Sequence, residues 1–390
     1  MTQTKQREAW IDWMRVIACF MVMLVHSTEP FYLGGDGAQI LTEGDAWWSS
    51  FFDSFVRMCV PLFLIASSYL QFPLHYSSGV FLRKRAVRIL IPFAIWSLVY
   101  AFYWGQPVEN LQGLLLNFNY AAGHLWFVYM LVGIYILMPM LSAWAEKVSK
   151  RELQVYLGIW FFTTLIPIFR DWIDTNPMAL TIGATGLPRQ ALFPLWGEAS
   201  WNTYGTFYYI SGMLGYLLLG LYFRRFVKVS SWLSTLKVAL PCWAVGFGIT
   251  FGGFLRRVYE MDGGQFPALG GLEKAIRWET TWTYDTLGVA LMTIAFVLLF
   301  RKISASGTFY KRIVLPVSKA SYGMYLSHMV VLSVSSAMWR DALGVGTEGA
   351  LGFLTTPVEI LGTAVTSYAI VAVASILLQR LPVVGKYLIG

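Results

Sequence analysis

Apolar runs recur along the chain from residue 10 to residue 380, separated by short polar stretches. A bilayer core of about 30 Å is crossed by roughly 20 apolar residues in a helix. On that measure the runs predict helices at 11–31, 50–71, 86–104, 123–143, 153–169, 205–223, 236–255, 283–301, 316–338 and 357–379. The fifth is short, and the seventh carries glycines and Pro241. The pattern predicts an all-α fold, a polytopic membrane bundle of about ten transmembrane helices, with residues 1–390 as a single domain. Neither a repeat of solenoid period nor a low-complexity linker interrupts it.

Basic residues orient such a bundle, because Lys and Arg are retained in cytoplasmic loops. With the N-terminus inside, the inner face collects Lys5, Arg7, the 83–88 cluster, Lys147, Lys150, Arg151, Arg224, Arg225, Lys228 and Lys237. It also collects Arg301, Lys302, Lys311, Arg312, Lys319, Arg380 and Lys386. The outer segments hold only Arg170, Arg189, Arg256, Arg257, Lys274, Arg277 and Arg340, and Arg15 and Arg57 fall inside helices. Ten helices with both termini cytoplasmic satisfy this bias throughout, and adding or removing one would reverse every later loop.

Composition agrees. The chain is 57% hydrophobic and 13% charged, about half the charge of a soluble domain. The net charge of +8 is distributed by topology, so it does not call for nucleic acid. Residues 1–9 do not open a cleavable signal peptide. The stretch that follows is long enough to span and lacks a small-residue cleavage site, so it is expected to remain as the first helix. Cys19, Cys59 and Cys242 lie in apolar segments without paired spacing, which favours neither disulfides nor a metal site. Four histidines without an H-E-x-x-H pattern likewise predict no metal. The long outer segments 32–49, 170–204 and 256–282 are rich in tryptophan: Trp47, Trp48, Trp172, Trp196, Trp201, Trp278 and Trp282. For most of these an interfacial aromatic belt is expected, and stacking on sugar rings is the alternative.

Candidate chemistry concentrates in the first helix. Arg15 and His26 are separated by ten apolar or small residues. Eleven steps of about 100° return to nearly the same direction, so both project from one face, about 16 Å apart along the axis. Ionisable groups at membrane depth line a protein interior or a watery cavity. The alternative is that Arg15 anchors the inner boundary paired with Asp12, while His26 sits at the outer one. Glu29, three residues beyond His26, is placed to orient an imidazolium. A second cluster, Arg83-Lys84-Arg85-Ala86-Val87-Arg88, opens the third helix. It suits either phosphate recognition at a helix N-terminus or topology alone. In the ninth helix Tyr325 and His328 share a face, and His124 and Trp126 begin the fourth.

Together these segments resemble the acyltransferase 3 family of integral membrane acyltransferases over nearly the whole chain. The marks are Asp12-x-x-Arg15 with His26 after ten further residues, Arg85-x-x-Arg88 with Pro92, His124-Leu-Trp126, and Ser321-Tyr-Gly-x-Tyr325-Leu-x-His328. Within the family, Gly205-Thr-Phe-Tyr-Tyr-Ile210 and Gly212-Met-Leu-Gly215 are similar to the enterobacterial common antigen O-acetyltransferase group. The resemblance implies an enzyme of the cell inner membrane that takes acetyl from cytoplasmic acetyl-coenzyme A, without metal. Its acceptor would be a glycan or lipid-linked sugar outside, and membrane lipids its surroundings. Carried over, His26 would be the general base, with Arg15, Glu29 and His328 beside it in the catalytic set. Arg85 and Arg88, with Arg83 and Lys84, would hold the coenzyme A phosphates. His124, Trp126 and Tyr325 would face the acceptor. A secondary transporter or flippase for a lipid-linked sugar is the rival class, since membrane Arg and His also mark transport pathways. Matching broken helices in the two halves, which transporters often show, are not evident. Succinyl-coenzyme A or a lipid acceptor also stays open.

Overall fold

A computed structural model describes residues 7–34, 37–175, 197, 202–344, 351–382 and 384–390. Described residues are overwhelmingly helical. In chain order the helices are α1 (Ala9–Thr28), α2 (Glu43–Val56), α3 (Cys59–Gln71), α4 (Ser78–Tyr103), α5 (Pro107–Leu114), α6 (Trp126–Lys147), α7 (Lys150–Thr163) and α8 (Ile166–Thr175). They continue with α9 (Leu214–Arg225), α10 (Trp232–Asp262), α11 (Leu272–Trp278), α12 (Leu287–Phe300), α13 (Leu315–Leu343), α14 (Thr355–Gln379) and α15 (Val384–Ile389).

Each of the ten expected stretches contains helix. Among the described residues, seven helical segments are long and apolar enough to cross a membrane, and eight if the pair Leu272–Trp282 and Leu287–Phe300, bent by 46°, counts as one. This is a multi-pass membrane protein. Two expected stretches fall outside that set for different reasons. α9 has 12 residues, too few to span alone. α13 has 29, but Lys319, His328 and a series of serines make it polar. The expected seventh helix is stronger than its composition implied: α10 runs unbroken for 31 residues through Pro241. Ser231 caps its start by accepting a hydrogen bond from the Ser234 N–H. Gly263 ends it at φ +60°, a conformation that favours glycine. One element departs from the all-helical expectation. Gln39–Ile40 and Ala268–Leu269 pair antiparallel, Gln39 opposite Leu269, a ribbon too short to leave any alternation in the sequence.

The chain packs as two compact units. The first comprises residues 1–27, 71–147 and 303–390. In it α13 lies along α14, and α4 packs on α6, α13 and α15. Side-chain bonds fix α1 to this frame: Tyr368 Oη donates to the Val16 carbonyl at 3.0 Å, and Ser318 Oγ to Asp12 at 2.6 Å.

The second unit comprises residues 28–70 and 148–302. Gly246 of α10 and Gly288 of α12 bring their helices together, since a Cβ on Gly246 would meet the Gly288 carbonyl at 2.5 Å. Such close approach is how small residues drive helix association in lipid. Phe51, Phe247 and Phe251 join α2 to α10 through edge-on rings. Beside the ribbon, Trp278 and Trp282 are fully buried in a cluster with Tyr32, Ile40 and Phe254. These two expected belt residues are therefore core, while Trp47 and Trp172 are exposed; Trp196 and Trp201 lie outside the described residues. Charges enter this unit as well. Arg57 Nε lies 3.1 Å from Asp53 Oδ1, donates to the Trp282 carbonyl at 3.1 Å, and sits 5.0 Å from the centre of the Trp282 ring.

Candidate functional site

Three histidines far apart in sequence meet within the first unit. His26 lies in the last turn of α1, His124 in the 3-10 turn Gly123–Leu125 that opens α6, and His328 in the middle of α13. Ring centroids are 4.9 Å apart for His26 and His328, 4.9 Å for His124 and His328, and 6.3 Å for His26 and His124. His328 Nδ1 faces the Tyr325 carbonyl at 2.5 Å. In the neutral ring an Nδ1–H donated there leaves the lone pair on Nε2. That Nε2, and the Nε2 of His124, are buried with no hydrogen-bond partner. Buried polar atoms are ordinarily paired, so the two nitrogens point to a function rather than to packing.

Two tyrosines wall the cluster. Tyr325 Oη donates to the His124 carbonyl at 2.6 Å, and its ring lies 5.8 Å from His328. Tyr100 meets His124 edge-on at 4.9 Å and donates to the Leu326 carbonyl at 2.8 Å. Three sequence-predicted residues, His26, His328 and His124, thus converge with a fourth, Tyr325. Tyr100 was not singled out, because an aromatic in an apolar run carries no mark of its own. Among the described residues no group of three or more His, Cys, Asp or Glu has a geometry that holds a metal ion.

Nearer the start of α1 the character changes to cationic. Arg15 lies within electrostatic reach of Asp12, Tyr135, Arg7 and Arg88. Arg85 stacks over Phe81 and Tyr135 at 5.4 Å and 5.3 Å, and its Nε is buried without a hydrogen-bond partner. Tyr135 therefore ties Arg15 to the Arg85–Arg88 pair, another link that sequence spacing did not display. The alternative pairing of Arg15 with Asp12 is not formed. Asp12 accepts two hydrogen bonds from Arg7 at 2.7 Å each, one from Tyr310 at 2.6 Å and one from Ser318 at 2.6 Å. Those bonds hold the Arg7 guanidinium above its ordinary pKa. With Asp12 saturated, Arg15 makes no ion pair among the described residues.

The other expected site residues lie elsewhere. Arg83 and Lys84 are exposed, Lys84 over the Tyr76 ring at 4.1 Å. Trp126 is 38% exposed, with its ring edge-on to Phe127. Glu29 begins the turn Glu29–Phe31 in the second unit, where it acts electrostatically on Asp53 and Tyr32.

A family model described as an acyltransferase domain matches residues 8–378. No curated protein and no solved structure matches the chain.

Proposed function

The chain belongs to the acyltransferase 3 family, and on that premise we propose that it is an O-acetyltransferase of the cell inner membrane. The donor is cytoplasmic acetyl-coenzyme A, and the acceptor is a hydroxyl on an extracytoplasmic glycan or lipid-linked sugar, as in the enterobacterial common antigen group. The observation that carries this reading is the meeting of His26, His124 and His328 with two buried ring nitrogens left unpartnered. Imidazole titrates near neutrality and suits removal of a hydroxyl proton.

The donor fits the cationic group. Arg15, without a protein counter-ion, and Arg85, with an unpartnered buried Nε, supply guanidinium forks of the kind that bind phosphate bidentately. Arg88 adds a third charge, and Arg83 and Lys84 widen the basic approach. The rise of about 16 Å along α1 from Arg15 to His26 is a distance that the extended pantetheine arm can cover. His26 takes the proton of the acceptor hydroxyl as its oxygen attacks the thioester carbonyl. The new C–O bond forms, the C–S bond breaks, and the sulfur leaves as coenzyme A thiol after regaining a proton. His328 and His124 hold the hydroxyl and pass the proton on, while Tyr325 fixes the His124 backbone.

Purified protein given radiolabelled acetyl-coenzyme A tests this. Transfer should fall by about 10²–10⁴-fold in His26→Ala without loss of the folded state. Turnover unaffected by that substitution would remove His26 from the mechanism.

A further inference from the structure

At the far end of α4 from its basic cluster, a groove of about 570 Å³ is lined by Tyr103, Trp104, Gly105, Ser333, Val334 and Ala337. That volume falls in the range of small-ligand clefts, roughly 300–1,000 Å³. The turn that forms it is built. Trp104 caps α4, Gly105 follows at φ +75°, and Gln106 takes φ +45°, a left-handed conformation uncommon for a residue with a side chain. Asn110 pins this turn by donating to the Ala101 carbonyl at 3.0 Å and the Gly105 carbonyl at 2.7 Å. The result is a Trp104 ring that runs parallel to Tyr100, with centroids 6.5 Å apart and planes within 13°, meets the Tyr103 ring edge to face at 4.9 Å, and stays 45% exposed. Beside it Tyr103 Oη and Ser333 Oγ share a hydrogen bond of 2.6 Å, and Ser333 donates onward to the Val330 carbonyl at 2.9 Å. With that proton committed, the hydroxyl pair keeps lone pairs for a donor in the groove.

We propose that this groove binds a sugar residue of the acceptor next to the one that is acetylated. An apolar aromatic face beside hydroxyl acceptors matches a pyranose, which has an apolar face and a rim of O–H donors. Position sets which residue it is. Tyr100 lies 6.5 Å from the Trp104 ring and 4.9 Å from His124, and Ser333 lies five residues beyond His328 on α13, about 7.5 Å along the axis and about 140° around it. A ring on Trp104 is thus too far from the imidazoles to present its own hydroxyl there, and close enough to be its neighbour. The inference rests on the acetyl-transfer reading and gives that reading a preference for acceptors longer than one sugar.

The test uses the purified full chain, labelled acetyl-coenzyme A, and envelope glycan isolated from cells deleted for the gene. The glycan is offered as oligosaccharides and as single sugars released from it. Trp104→Ala should raise KM for the oligosaccharides about tenfold and leave KM for the single sugars within about twofold. Trp104→Phe, which keeps an aromatic face, should restore oligosaccharide KM, and Trp104→Leu should not. An equal effect on both acceptors, no effect on either, or rescue by leucine as good as by phenylalanine overturns the subsite; the last outcome would mark a groove for an apolar chain. Failure of the unsubstituted protein to label any acceptor is a different result. It would overturn the acetyl-transfer reading and the subsite with it.

Discussion

Replacing Asp12 with alanine removes the acceptor that ties the start of α1 to the start of α13. Two of its four hydrogen bonds, from Tyr310 and Ser318, are buried and measure 2.6 Å. Hydrogen bonds to a charged group contribute about 1.5–3 kcal/mol each. The other two come from Arg7, whose side chain is 49% exposed, so that solvent-screened pair adds no more than about 1 kcal/mol. Asp12→Ala should therefore cost about 3–7 kcal/mol, and Arg7→Ala about 1 kcal/mol or less. At about 2 °C per kcal/mol for a chain of this size, the midpoint of thermal unfolding falls by roughly 6–14 °C in the first variant and by about 2 °C in the second. Tryptophan fluorescence of the detergent-solubilised protein measures both. A double-mutant cycle separates the partners: Asp12 should couple more strongly to Ser318, which it bonds directly, than to Arg15, which it reaches only through space. Equal losses in Asp12→Ala and Arg7→Ala, or strong coupling between Asp12 and Arg15, would refute this assignment. Arg15 would then be a paired anchor rather than a free cation.

Substituting Tyr135 by leucine removes one of the two rings under Arg85, and calorimetry should show coenzyme A binding weakened about threefold to tenfold. Arg85→Ala with Arg88→Ala should weaken it further; unchanged binding in both variants would take the donor away from these arginines. Gly215→Ala places a methyl group against the buried Trp160 ring and should destabilise the protein by about 1–3 kcal/mol, read as a lower unfolding midpoint, whereas an unshifted midpoint would mean that Trp160 moves freely. A cysteine at Leu41, which is 52% exposed, should react with an impermeant maleimide added to intact spheroplasts, and one at Arg151 only after lysis. The opposite order would invert the proposed topology.

Sequence showed the apolar helices well, because a span is a local property of about 20 residues. It showed less where polarity serves the interior. His328 and Tyr325 bring α13 into the site, while His328, Lys319 and the serines make the same stretch the most polar of the expected spans. Arg15 and His26 were visible through a helical period within one element. The meeting of His26 with His124 and His328 was not, since three separate segments create it. Spacing also suggested Asp12 as a partner for Arg15, but Arg7, Tyr310 and Ser318 compete for the same carboxylate and occupy it. Trp278 and Trp282 looked interfacial by position and are buried instead. The ribbon at Gln39–Ile40 and Ala268–Leu269 and the turns around it cover them, and two-residue strands leave no periodic trace.

The ion pair between Asp53 and Arg57 bears on how the protein is made. Each of these charges opposes insertion of its helix by about 2.5–3.5 kcal/mol when alone at mid-membrane. One turn apart, they reach the translocon together and offset each other within a single segment. The Trp282 carbonyl that accepts from Arg57 is synthesised 225 residues later, as is the indole face beneath the guanidinium. Until then Arg57 has only Asp53 along its own helix, while Asp53 also accepts from the earlier Thr28 hydroxyl at 3.1 Å. Its final seat is thus completed late in translation, when the segment around Trp282 arrives to enclose it.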